Sequence, residues 1–154
     1  MTNNDIMRRI RYTFDFDDSK MIAIFAAADF DATREQISDL LKKEDDPAYK
    51  ECSDTVLAIF LNGLINDKRG RKDGEKPEPE TKLTNNIIFT KLKIALNLKA
   101  DEILDMLNMV DVDISKHELS AFFRKSTHKN FRVCQDQVLR NFLKAMQLKY
   151  RDNV

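Results

Sequence analysis

Ser120–Gln147 reads SAFFRKSTHKNFRVCQDQVLRNFLKAMQ, and Ser38–Ile65 reads SDLLKKEDDPAYKECSDTVLAIFLNGLI. Cys52, Asp54, Val56, Leu57, Phe60 and Leu61 recur as Cys134, Asp136, Val138, Leu139, Phe142 and Leu143. The offset of 82 positions holds outward without a gap, from Thr84-Asn85-Asn86 against Thr2-Asn3-Asn4 to Arg151 against Arg69. The chain is therefore a duplication. Each half alone would carry a marginal core, because a small domain buries too little of its surface. The halves are expected to pack together about a pseudo-two-fold axis, with independent units on a string as the alternative.

The periodicity within each half is helical. Ile6, Ile10 and Phe14 share one face of a helix over Asn4–Phe14, with Arg8, Arg9 and Arg11 largely off it. A second helix is read at Ser19–Ala28. Thr33 with Gln36, and Ser115 with Glu118, have the capping-box spacing of a third helix start. The fourth helix of the first half, opened by Asp54, carries a wide stripe of Val56, Leu57, Phe60, Leu61, Leu64 and Ile65. Gly63 in its middle is costly unless another backbone packs close. Lys68–Lys82, KRGRKDGEKPEPETK, has no periodicity, two glycines, two prolines and dense mixed charge, the marks of a linker. The expected architecture is all-α: two tandem four-helix repeats, residues 1–67 and 83–154, joined by a charged linker at 68–82.

Few turn-formers among 154 residues and abundant Leu, Ile, Ala, Lys and Glu agree with a helical protein. The start, MTNNDIMRRIRYTF, lacks an unbroken apolar core of the secretory kind, and no apolar run approaches the roughly 20 residues that cross a bilayer. Two cysteines exclude a disulfide scaffold, so a cytoplasmic location is expected, with no membrane association. Net charge is zero but divided: residues 1–70 carry 10 basic and 14 acidic side chains, and residues 81–154 carry 13 and 8. Such asymmetry speaks of partners rather than of fold.

Three features carry a family resemblance: the repeated Asn3-Asn4 and Asn85-Asn86 starts, the segment Phe60-Leu61-Asn62-Gly63-Leu64, and one longer pattern. That pattern is His128-Lys129-Asn130-Phe131-Arg132, then Cys134, Asp136-Gln137, Leu139-Arg140 and Phe142-Leu143. The chain resembles the YehS-like bacterial proteins, a family defined by a duplicated domain of unknown function, number 1456. The resemblance covers nearly the whole chain. It implies a small, cytoplasmic, duplicated helical protein and carries no activity.

Asp29-Phe30-Asp31 and Asp111-Val112-Asp113 resemble the start of a calcium loop, but Arg34 and Lys116 stand where that loop needs Gly, and Leu40 and Phe122 where it needs Glu. Turn and cap duty is expected of these aspartates. His117, His128 and Cys134 are too few and badly spaced for zinc, and Glu35 and Asp46 replace the histidines in the first half. A helix start can lower a thiol's pKa and make Cys134 reactive. Its recurrence at Cys52 favours a small buried residue instead. No metal, cofactor or catalytic group is expected.

The positive signal is charge. Arg124, Lys125, His128, Lys129, Arg132, Arg140 and Lys144 cluster in and after the loop between the third and fourth helices of the second half. The first half has Lys42, Lys43, Asp46, Pro47, Lys50, Ala58 and Asn62 in those places. Phe131, matched by Tyr49, is read as a core anchor. The seven residues form the candidate binding surface of a non-enzymatic regulatory adaptor, docking on a protein partner or on the acidic half of another copy. The rival reading is a DNA- or RNA-binding protein gripping phosphates with the same loop. The second and third helices of each half also suggest a helix-turn-helix, a pattern that any helical hairpin shares.

Overall fold

Each repeat begins with a helix whose first turn is satisfied by its own side chains. The structure, a computed structural model, describes residues 1–71, 74 and 76–152. Helix α1 (Asn3–Phe14) starts at a capping box between Thr2 and Asp5, and α2 (Asp18–Ala27) at Asp17, whose carboxylate accepts from the Lys20 amide. Helices α3 (Arg34–Leu40) and α7 (Lys116–Ala121) start at the expected Thr33–Gln36 and Ser115–Glu118 boxes. Helix α4 (Asp54–Arg69) is capped by Ser53. The second repeat supplies α5 (Asn85–Ala95), α6 (Ala100–Asn108) and α8 (Asp136–Gln147), which ends in a π-helical turn over Leu148–Asp152. There is no strand among the described residues. The protein is all-α with tandem repeats.

The turns repeat as faithfully as the helices. Asp15 and Asn97 both have φ 53°, and Asp29 and Asp111 both have φ 61°. Asp and Asn tolerate this left-handed region better than other side chains do, because their polar groups bond locally. The aspartates that resembled a calcium loop thus reverse the chain after α2 and α6. The expected linker start at Lys68 lies inside α4, which continues through Arg69. Lys68 and Arg69 suit the negative end of the helix dipole, so the charge that suggested a linker here favours helix.

The Asn-Asn pairs tie the long loop of each repeat to its first helix. Asn3 Nδ2 donates to the Cys52 carbonyl at 3.0 Å and to Asp54 Oδ1 at 2.7 Å, and Asn85 does the same to Cys134 and Asp136 at the same distances. Asn4, fully buried, donates to the Leu40 and Lys50 carbonyls and accepts from the Cys52 amide and the Tyr49 hydroxyl. Asn86 reproduces this with the Phe122 and Arg132 carbonyls and the Cys134 amide. A primary amide offers two donors and a two-lone-pair acceptor, so one side chain satisfies backbone groups of a loop that has no ladder of its own.

The two repeats share one core. Helix α4 packs on α5, and α8, the counterpart of α4, packs on α1, the counterpart of α5. That exchange is the isologous contact of a two-fold axis. Phe25 and Phe60 (ring centroids 5.4 Å apart) anchor the first half, while Phe89 and Phe142 (4.5 Å) anchor the second, all within one contiguous apolar cluster. This excludes independent units on a string. Within the first repeat α2 and α4 touch backbone to side: a methyl on Gly63 would lie 2.0 Å from the Ile24 carbonyl oxygen. The close approach expected at Gly63 is present, and Ala145 stands at the matching place in α8.

Candidate functional site: two unequal grooves

The two-fold arrangement creates two related grooves, one along α4 and α5 and one along α1 and α8. Positions 82 apart line both: Leu83 and Met1, Ile87 and Asp5, Ile94 and Tyr12, Ile65 and Gln147, Lys125 and Lys43, Arg69 and Arg151. Ile87 against Asp5, Ile94 against Tyr12 and Ile65 against Gln147 differ in chemistry, whereas the Lys and Arg pairs do not.

The α4–α5 groove, about 1250 Å³, has an apolar interior of Ile59, Ile65, Ile87, Ile94, Phe131 and Val133. Ile94 and Val133 are 45% and 62% exposed, far above what an apolar side chain needs to tolerate unless something covers it. The chain after α4 forms one wall, through Pro77, Pro79 and Glu80, with Glu80 3.1 Å from Lys91 Nζ. Asp29, at the turn after α2, fastens that wall by accepting from Arg71 and Lys76. Those two hydrogen bonds hold its carboxyl at about 2. The Leu83 amide donates to Asp54 Oδ2 at 2.9 Å, so the carboxylate that holds Asn3 also holds the chain as it enters α5. These bonds lower the Asp54 pKa, the Asn3 bond most.

The α1–α8 groove, about 880 Å³, is lined by Arg8, Arg9, Arg11, Lys43, Arg140 and Arg151 against two carboxylates, Asp5 and Asp15. Arg8 pairs with Asp5, Arg11 with Asp18 and Arg151 with Asp15. Burial pushes the Asp5 carboxyl up, but the Thr2 and Arg8 hydrogen bonds outweigh it and leave the pKa lowered. Arg9, Lys43 and Arg140 have no carboxylate partner among the described residues. Tyr12 is 50% exposed, with the Arg151 guanidinium 3.8 Å from its ring centroid.

The seven residues of the expected basic surface do not share one face. Arg124 and Lys125 border the apolar groove, whereas Arg140 projects from α8 into the other one. His128 closes its own loop, its Nδ1 accepting from the Asn130 amide at 3.0 Å. Lys129, Arg132 and Lys144 are exposed and line neither groove. None of the seven has a carboxylate partner among the described residues, whereas Lys42 and Lys50 of the first repeat both reach Asp39. Phe131 is half-buried in the groove wall, outside the core cluster. Its place in the first repeat is held by Tyr49 through a hydroxyl bond to Asn4, which a phenylalanine cannot make. None of Tyr12, Ile94 and Val133 is singled out in the sequence analysis. Subtracting one repeat from the other is the signal that finds them, because Tyr12 faces Ile94 and Val133 faces Glu51 in the alignment.

Cys52 and Cys134 are buried, and burial pushes their thiols up to about 12 and about 11. Asp54 and Asp136 next to them add to the shift. Desolvation beats the helix start, so both thiols remain protonated. Among the described residues no three His, Cys, Asp or Glu side chains gather as a metal would require. Helices α3 and α7, in the place of a recognition helix, are only 7 and 6 residues long. No described helix is long and apolar enough to cross a membrane.

The duplication seen in the helices is matched by comparison with known proteins. The chain belongs to the family described as "Protein of unknown function (DUF1456)", whose model matches twice, at residues 3–70 and 85–152. It is 45% identical over 148 residues to "Uncharacterized protein YehS" of Escherichia coli (strain K12), covering 95% of this chain and 94% of that protein. No solved structure matches it.

Proposed function

We propose that this protein is a non-enzymatic adaptor of the cytoplasm whose α4–α5 groove takes an acidic, amphipathic helical segment of a partner protein. The observation that carries the reading is the pairing of an apolar interior, in which Ile94 and Val133 are exposed and Ile87 is half-buried, with a rim of Arg69, Arg124 and Lys125. None of these three rim cations has a carboxylate partner among the described residues. An amphipathic helix laid in a groove needs an apolar floor and charge complementarity at the edges. A non-catalytic role is supported by the perturbed groups themselves. The cysteines are raised by burial, and Asp5, Asp29 and Asp54 are lowered by structural partners. None of these is a group tuned toward neutrality.

Nuclear magnetic resonance titration tests this with two synthetic helices, one bearing Leu on one face and Glu on the other, and its Leu–Lys counterpart. The acidic helix is expected to shift the amides of Ile87, Ile94 and Val133, and Ile94→Glu to weaken it at least tenfold with unchanged helix content. Equal response to both peptides, or to neither, refutes the reading. Light scattering adds a control: a salt-sensitive dimer blocked by Ile94→Glu would assign the acidic segment to another copy, through the exposed Glu44, Asp45 and Asp46 of its first repeat.

A further inference from the structure

The second groove has a different chemistry, and it stands independently of the adaptor reading. We propose that the α1–α8 groove is a binding site for single-stranded nucleic acid, with the phosphates held by Arg9, Lys43 and Arg140 and a base stacked on Tyr12. Six cations line it and five are arginines, whose planar guanidinium forks suit phosphate oxygens better than the point charge of lysine. Three of the six are neutralised by Asp5, Asp15 and Asp18. The other three come from three different elements: Arg9 from α1, Lys43 from the loop after α3, and Arg140 from α8.

Tyr12 supplies what a purely anionic partner would not need. It is an exposed aromatic ring at the edge of a cationic recess, held in place by Arg151, which covers the ring and donates to the Tyr12 carbonyl. Stacking of bases on such rings beside a basic track is the common mode of single-strand recognition. A duplex keeps its bases paired and stacked, and so offers none to the ring. The counterpart groove keeps two of the cations, as Lys91 and Lys125, but has the buried Ala58 for Arg140 and Ile94 for Tyr12, so it lacks both the third cation and the ring.

Fluorescence anisotropy with a fluorescein-labelled oligothymidylate tests the proposal on the full chain. Three phosphate contacts predict a slope of log affinity against log salt of about −2, which is about a 20-fold loss between 50 and 200 mM salt. Arg9→Ala with Arg140→Ala is expected to reduce the slope to about −0.7. Tyr12→Leu is expected to weaken binding about tenfold at constant slope. Arg140 is exposed, so Arg140→Glu alone tests the site without burdening the fold, and circular dichroism checks each variant. Unlabelled duplex should compete poorly. No anisotropy change at the lowest salt would overturn the proposal. So would affinity unaffected by Arg140→Glu, or affinity lost on Arg124→Ala with Lys129→Ala instead. Competition by inorganic triphosphate as strong as by the oligonucleotide, with Tyr12→Leu silent, would reassign the groove to a free phosphate compound and overturn the strand.

Discussion

The α4–α5 and α1–α8 grooves are built from the same backbone, yet one is walled with isoleucine and the other with arginine and tyrosine. The staples and left-handed turns are copied between the repeats almost bond for bond. The difference teaches where the constraints lie. Buried polar groups must find partners, and each Asn-Asn pair satisfies several loop groups at once, so those positions do not drift. Groove positions face solvent and carry no such obligation, so their side chains can be set by what they meet.

The scaffold side of this comparison should break most violently at the staples. Asn4→Ala strands two carbonyls, one amide and one hydroxyl in a buried setting and is expected to cost about 4 kcal/mol of unfolding free energy. Asn86→Ala, with three such bonds, should cost somewhat less, as measured by urea denaturation. Similar large losses at both sites would establish the equivalence of the repeats; a neutral effect at either would refute it. Next comes the helix contact at Gly63. Gly63→Ala drives a methyl onto the Ile24 carbonyl and should lose about 3 kcal/mol despite alanine's better helix propensity. The reverse change at its counterpart, Ala145→Gly, should lose only about 1 kcal/mol.

The cysteines give a pH test. Their native pKa values, about 12 and about 11, lie above the ordinary 9.0, so folding favours the protonated thiol. That contribution is complete below pH 9 and is lost as pH rises from 9 toward 11 and 12. Midpoints of thermal unfolding should therefore fall across this alkaline window, and less so in a Cys52→Ala, Cys134→Ala protein. Thr13 carries a smaller effect of opposite sign. Its buried hydroxyl has no partner among the described residues, and Ala95 fills the same place in the second repeat. Thr13→Val should stabilise by about 1 kcal/mol. Least of all, Arg140→Ala, which installs the residue of Ala58, should change stability by under about 0.5 kcal/mol, leaving the groove's charge as the thing altered.

Much of the scaffold was legible in sequence, and the grooves were not, for one physical reason. Capping boxes, left-handed aspartates and apolar stripes are local patterns, so Thr33, Asp29 and the α4 stripe read correctly from neighbours along the chain. At the helix starts Thr2 and Thr84 provide the caps, and the Asn-Asn pairs that follow them do not. Their work is done on loop groups as far as 51 positions away, which no local pattern reveals. The basic cluster failed in the same manner. Arg124 and Arg140 are close in sequence, but a loop end and a helix face send them to opposite grooves. Gly63 was the exception, because the cost of a mid-helix glycine is itself a local signal of a distant neighbour.

The reciprocal packing of α4 on α5 and α8 on α1 has a consequence for the history of such a chain. A single repeat carries both halves of the contact, which is what the subunit of a two-fold homodimer requires, and in such a dimer every surface substitution appears twice. Joining two copies end to end replaces an encounter in solution by one within the molecule, at an effective concentration in the millimolar range for a short tether. Association then no longer depends on how much protein a cell holds. More consequentially, each substitution now appears once. One groove can fill with isoleucine while its twin fills with arginine, and a symmetric object with two copies of one site becomes an asymmetric one with two different sites.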